Sequence, residues 1–339
     1  MTANSKRYIF LDLAKGILVI LMILYHCASV ASLSPIYYYY IDIITNKINF
    51  ISRSFLLLTG LICGLHYGPK LYRESINVKK RIATRGLKLL SIFIVCNIII
   101  YIFMKYDNFN VIRNYKSISD FNIYHLIFMP GDLYSFSILY FLGFFLVIIS
   151  PLINHDKILV VIVLILSFFN NNINILLAIS YGITGLLIGK VFYMLHNNKN
   201  PYFWYYSLFF FFIFLIIYYF TFIFFSKFNI ILFDILSNLI IIILWVFIPS
   251  YLIMLINNNM IIANISFIGK YTLISYLFQI IIIRIIFLTL GNYPYFPFFY
   301  LLNILLSLLI LYIFIYILHN FRNKYPNGFI NKIYNFIFN

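Results

Sequence analysis

The chain has 339 residues, 64% of them hydrophobic and 9% charged, with a formal net charge of +16 and a mean hydropathy of +1.00. A soluble domain carries about a quarter of its residues as charges, so this composition excludes a water-soluble globular protein and leaves a polytopic membrane protein. The positive balance reports membrane topology rather than nucleic-acid binding. Cys27, Cys63 and Cys96 sit in or beside apolar segments without paired spacing, which gives neither a disulfide framework nor a zinc signature, and no metal is expected.

Apolar runs near 20 residues recur along the chain, each long enough to cross a bilayer as a helix. The expected fold is therefore all-α: one integral membrane helix bundle over residues 1–339. About ten spans are predicted, near 9–31, 48–67, 88–104, 133–150, 157–169, 174–194, 203–225, 230–256, 265–290 and 297–318. The fifth is short. Turn signals such as "YGPK" at 67–70, "MPGD" at 129–132 and "NKNP" at 198–201 punctuate the connections. Neither a solenoid repeat nor two similar halves are visible. The runs "YYYY" at 37–40 and "FFFF" at 209–212 reflect a general compositional bias.

The first span, "RYIFLDLAKGILVILMILYHCASV" over 7–30, is apolar yet holds Asp12, Lys15 and His26. Lys15 and His26 are eleven residues apart, about three helical turns, so they share a face roughly 16 Å apart along the axis. Asp12 and Lys15, at i and i+3, are neighbours on the helix surface. Charged groups inside a bilayer cost about 2.5–3.5 kcal/mol each on insertion scales and usually face a bundle interior or a wet cavity. The plain alternative is an ion pair near the interface plus an interior histidine; the shared stripe favours a polar passage. Cys27 diverges from His26 by about 100° and is no partner for it. Lys6, Arg7 and "SVAS" at 29–32 also resemble a cleaved signal peptide, but two charges in the apolar region argue for a retained span.

The second span begins with Arg53 in "RSFLLLTG". Before the third, "KKRIATRGLKLL" at 79–90 puts Lys80, Arg81, Arg85 and Lys88 at its entrance, with Arg81, Arg85 and Lys88 spaced along one helical face. Positive charge on the cytoplasmic side explains the count; a basic helical face also suits a phosphorylated ligand. Late in the chain, Gln279 and Arg284 lie within "YLFQIIIIRII". Arg284 needs a partner there, Asp234 or a backbone carbonyl, or else a functional role. With both ends inside, 16 of the 24 Lys and Arg residues fall in cytoplasmic segments, five in outer loops, and Lys15, Arg53 and Arg284 in the membrane. That asymmetry supports N-in, C-in insertion of a multi-pass plasma-membrane protein.

Together these segments resemble the type 3 membrane acyltransferase family, which modifies sugars of cell-envelope polysaccharides; glucan succinyltransferases and lysosomal-type sugar N-acetyltransferases are similar in the same places. The family's L-D-x-x-R-G followed by histidine is matched by Leu11, Asp12, Lys15, Gly16 and His26. Its F-F-x-x-S-G is matched by Phe55, Thr59 and Gly60, and its basic entrance to span three by Arg81, Arg85 and Lys88. An aromatic L-W-F-L…P segment is loosely matched by "LYSFSILYFLGFFLVIISP" from Leu133 to Pro151, and a late G-x-x-S-x-x-x-Y-L-x-H by Gly269, Tyr276 and Leu277 in "GKYTLISYLFQ". The match covers 7–151 and 267–290. Lys15 stands for arginine, losing the bidentate fork; Thr59 stands for serine, Tyr134 for tryptophan and Gln279 for the late histidine.

The resemblance implies an O-acyltransferase. It would move an acetyl or succinyl group from cytoplasmic acyl-coenzyme A, a co-substrate rather than a bound cofactor, to a sugar hydroxyl of a cell-surface or lipid-linked polysaccharide. His26 would be the catalytic base or the acyl carrier, with Asp12 and Lys15 beside it. Lys80, Arg81, Arg85 and Lys88 would hold the donor's phosphates, and Arg53, Thr59, Tyr134, Gln279 and Arg284 would line the passage. The expected partners are donor, sugar acceptor and lipid bilayer, without nucleic acid, and the sequence leaves a homo-oligomer open. The rival expectation is a transporter or flippase of a lipid-linked sugar, which the lack of paired halves disfavours; a sensor or assembly subunit without turnover is a third.

Overall fold

The computed structural model describes residues 9–31, 50–71, 74–106, 137–167, 174–197, 231–256, 259–290, 296–326, 328 and 331. They are helical almost throughout, as membrane burial demands: a backbone N–H or C=O facing hydrocarbon has no water to bond, and a helix satisfies these groups within itself. In chain order the helices are α1 (Ile9–Ala31), α2 (Ile51–Leu71), α3 (Ser75–Tyr106), α4 (Ser137–Leu152), α5 (Asp156–Ser167), α6 (Asn174–Asn197) and α7 (Ile231–Ile242). A π-helical turn, Ile243–Phe247, joins α7 to α8 (Ile248–Ile256), which is followed by α9 (Asn259–Lys270), α10 (Thr272–Leu290) and α11 (Phe296–Lys324).

Among the described residues five segments are long and apolar enough to cross a membrane: Ile9–Ala28, Ser75–Ile99, Ile175–Met194, Ile235–Ile256 and Tyr300–Lys324. The expected ninth span, near 265–290, is broken: α9 and α10 meet at Tyr271 at an angle of 85°, and count as a sixth crossing only if the bent pair is one span. The third begins earlier than expected, because Ser75 to Lys88 continues the helix instead of looping into it; lysine and arginine are good helix formers. The expected fifth span is the 12-residue α5, only about 18 Å long. Ile51–Tyr67 and Ser137–Leu152 are shorter apolar helices, and the expected span near 203–225 lies outside the described residues.

The chain divides into two compact units, one of residues 1–55 with 238–339 and one of residues 56–237. In the first, α1 packs against the π-helical turn and α8 through α11, and α10 packs against α11. Leu13, Leu18, Val19, Met22 and Ile23 of α1 are fully buried there. Close approach of α1 and α9 depends on two glycines. A methyl group on Gly269 would fall 1.8 Å from the Asp12 carbonyl oxygen, and one on Gly16 would fall 2.2 Å from that of Ile265. Lipid gives no hydrophobic drive for helices to associate, so small residues that bring backbones together stand in for it.

In the second unit α3 packs on α4, α4 on α6 and α5 on α6. The helix α2 meets α6 through Gly60 and Gly64, which abut Gly182 and Leu186. Its core joins Cys63 and Tyr67 of α2, Ile82 of α3, Phe145 and Ile149 of α4, Leu159 of α5 and Leu186 of α6. Lys190 is buried on α6. Its Nζ donates to the Ile153 carbonyl at 2.5 Å and pairs with Asp156 at the start of α5.

Candidate functional site

Of the residues expected to share a face of the first span, Asp12 and Lys15 pair on α1. Lys15 Nζ lies 2.7 Å from Asp12 Oδ1, one turn along the helix as the i, i+3 spacing requires. Asp12 is buried at 6% exposure, Lys15 is half-buried, and the Asp12 backbone is the surface on which Gly269 rests. A carboxylate in the first turn also lies favourably in the field of the helix N-terminus. His26 is half-buried, with the Tyr25 ring edge-on at 5.5 Å. It stays about 16 Å along the axis from Lys15, so the helix aligns the two without bringing them into contact. Cys27 turns away from that stripe: its thiol is 4.0 Å from the Ser307 hydroxyl of α11. The Tyr300 hydroxyl donates to the Leu24 carbonyl at 3.0 Å, fixing α11 beside the same part of α1.

Of the other residues expected to line a passage, Gln279 and Arg53 belong to the same unit. Gln279 is on α10 at 1% exposure, and neither its Oε1 nor its Nε2 makes a hydrogen bond. Arg53 is half-buried in the first turn of α2, while Thr59, half-buried further along α2, falls in the second unit. Arg284 lies on α10 and Asp234 on α7, but both side chains, like the whole of Tyr134, lie outside the described residues.

The basic set is in the second unit, on the first turns of α3. Lys80, Arg81 and Arg85 are exposed and Lys88 is half-buried, so the helical spacing read from the sequence is realised. Arg85 Nη1 donates to the Tyr67 hydroxyl at 2.7 Å, and its guanidinium stands over the Tyr67 ring at 6.0 Å. That contact orients one arginine of the set by a cation–π stack as well as a hydrogen bond.

The sequence reading passed over Tyr271 and His319. Tyr271, at the break between α9 and α10, is buried. Its hydroxyl is 2.7 Å from Nδ1 of His319 on α11, whose Nε2 is 3.1 Å from Asn323 Nδ2. Phe267 packs edge-on against the His319 ring at 5.3 Å. Gly269 inside an otherwise apolar run was the available signal for a break. Nothing in the pattern marks His319, which sits among apolar residues near the end of the last span.

Comparison with known proteins points to the same chemistry. No curated protein matches the chain, and no solved structure does. The family described as heparan-alpha-glucosaminide N-acetyltransferase, catalytic, matches residues 7–183, more than half of the chain, including the Asp12, Lys15 and His26 stripe, the glycine seam of α2 and the basic turns of α3. The chain is a member of the heparan-alpha-glucosaminide N-acetyltransferase catalytic family, a family of membrane acetyltransferases.

Proposed function

We propose that the protein moves an acyl group from coenzyme A, supplied on the cytoplasmic side, to a hydroxyl of a sugar in a cell-surface or lipid-linked polysaccharide. The observation that carries this is the first helix. One helical face presents an Asp12–Lys15 ion pair and, about 16 Å along, a half-buried histidine, all inside the stretch that matches an acetyltransferase catalytic family. Coenzyme A carries its phosphates at one end and its thioester at the tip of a long, thin arm. Arg81, Arg85, Lys88 and Lys80 are the residues we assign to the phosphates, through charge-assisted bonds, and His26 is the residue we assign to the acyl end.

An ordinary imidazole titrates near pH 6.5, which suits it to accept a proton at neutral pH. In the direct route His26 takes the acceptor hydroxyl's proton, that oxygen forms the new C–O bond, the C–S bond breaks, and coenzyme A leaves as its thiol with the proton. In the two-step route the imidazole nitrogen attacks the thioester carbonyl, the C–S bond breaks and coenzyme A leaves as its thiol with the ring proton; the sugar oxygen then attacks the acyl carbon, the N–acyl bond breaks, and the hydroxyl proton returns to the imidazole. Labelled acyl groups retained on the protein when acceptor is omitted identify the second route. The deciding experiment is transfer of labelled acetyl from acetyl-coenzyme A in membranes containing the protein. His26→Ala abolishes transfer while the protein stays in the membrane; full activity in that variant overturns the assignment.

A further inference from the structure

Gln279 is buried in the first unit, and neither end of its amide finds a hydrogen-bond partner among the described residues. Inside a membrane bundle lipid makes up no such bonds, so a buried amide without a protein partner points to a bound ligand or an enclosed water that supplies them. Gln279 lies on the buried line of α10 with Ser275, Ile283 and Ile286, while Phe278, Ile281 and Ile285 are exposed. Ser275 is no partner: its hydroxyl donates to the Tyr271 carbonyl.

The height of Gln279 follows from the contacts around it. Gly269, three residues before α10 begins, rests on the Asp12 backbone. Tyr300, near the start of α11, bonds the Leu24 carbonyl. Tyr271 at the foot of α10 bonds His319 far down α11, and Phe278 stacks on Phe314 at 4.2 Å, so the two helices are antiparallel. Hence α10 climbs in the direction of α1, from the level of Asp12 towards that of Leu24. Gln279 is eight residues past Tyr271, about 12 Å up, whereas Lys15 and His26 are about 4.5 and 21 Å above Asp12. The unsatisfied amide therefore stands at a level between the ion pair and the histidine.

We infer that Gln279 binds the arm of the acyl donor, through the two secondary amides of the pantetheine chain, as that arm runs from Lys15 to His26. This rests on the donor proposed above. A primary carboxamide fits such an arm because Oε1 accepts from one of its N–H groups while Nε2 donates to one of its carbonyls. A sugar hydroxyl offers the same pair of functions, and the test separates the two.

The purified full chain, wild type and Gln279→Met, is unfolded thermally alone, with acetyl-coenzyme A, and with adenosine 3′,5′-bisphosphate, which has no arm. KM is measured for donor and acceptor. Without ligand, Gln279→Met melts at the same temperature as wild type or higher, since it removes an unpaired buried amide. It loses most of the acetyl-coenzyme A shift, keeps the bisphosphate shift, and raises the donor KM roughly tenfold with the acceptor KM unchanged. An equal acetyl-coenzyme A shift in both proteins overturns the inference and leaves Gln279 bonded to water. A raised acceptor KM alone assigns the amide to the sugar and overturns it too. Failure of both Gln279→Met and Gln279→Leu to fold makes the amide structural and likewise overturns it. If wild type neither shifts with acetyl-coenzyme A nor transfers label, the donor proposal has failed first.

Discussion

Lysine at position 15 carries its positive charge as a compact ammonium, and it pairs that charge with a neighbouring carboxylate. Its Nζ is 2.7 Å from a carboxylate that is itself almost wholly enclosed. Removing the cation leaves Asp12 buried without its counter-charge, and removing one partner of a buried pair costs more than removing both. Lys15→Met should therefore destabilise the protein, by about 1–3 kcal/mol allowing for the half-exposed ammonium, and Asp12→Asn with Lys15→Met should recover much of that loss without recovering transfer. Denaturant unfolding in detergent, read beside labelled-acetyl transfer, checks both. Recovery of activity in the double variant would reduce the pair to a structural role. The pairing was legible in the sequence, because i, i+3 spacing on a helix dictates it. The unsatisfied amide of Gln279 was not: a run of isoleucines around it shows that the segment is buried but not which neighbours lack a matching donor or acceptor.

At the level of the helices, hydropathy located α1, α6 and α11 closely, because a run of about 20 apolar residues has few alternatives in a bilayer. It failed at α9 and α10. Residues 265–290 read as one continuous apolar run, but Gly269 must meet the Asp12 backbone, and the helix breaks just beyond. Gly269→Ala puts a methyl 1.8 Å from that carbonyl. It should separate α9 from α1 and cost about 1–3 kcal/mol, seen as a lower melting temperature and loss of transfer. A melting temperature matching wild type would mean the two helices do not touch there. Tyr271→Phe removes only the hydroxyl bonded to His319 and should cost about 1 kcal/mol. If that bond matters only for stability, transfer at a temperature well below unfolding is unchanged.

For the molecule as a whole, charge asymmetry predicts that both ends face the cytoplasm. Reporter tags fused to each end should be reached by membrane-impermeant reagents only after permeabilisation; labelling of either end in intact cells reverses the donor side. On the same orientation and the proposed donor, Arg81→Ala with Arg85→Ala should raise KM for acyl-coenzyme A far more than for the acceptor, and the donor KM of wild type should rise with salt, since salt screens charge–phosphate attraction. Arg85 also holds Tyr67, so Arg81→Ala alone is the cleaner reading of the phosphate contact.

What the sequence by itself determined is the kind of molecule and the face of its first helix. A chain whose apolar runs are about 20 residues long satisfies its backbone in lipid as helices, and helical periodicity alone aligns Asp12, Lys15 and His26. Tertiary structure decided which groups meet across helices: Gly269 on Asp12, Tyr271 on His319, Arg85 on Tyr67, and for the Gln279 amide no hydrogen-bond partner among the described residues. Those contacts depend on how separate helices are set against one another, which periodicity within a single helix does not encode.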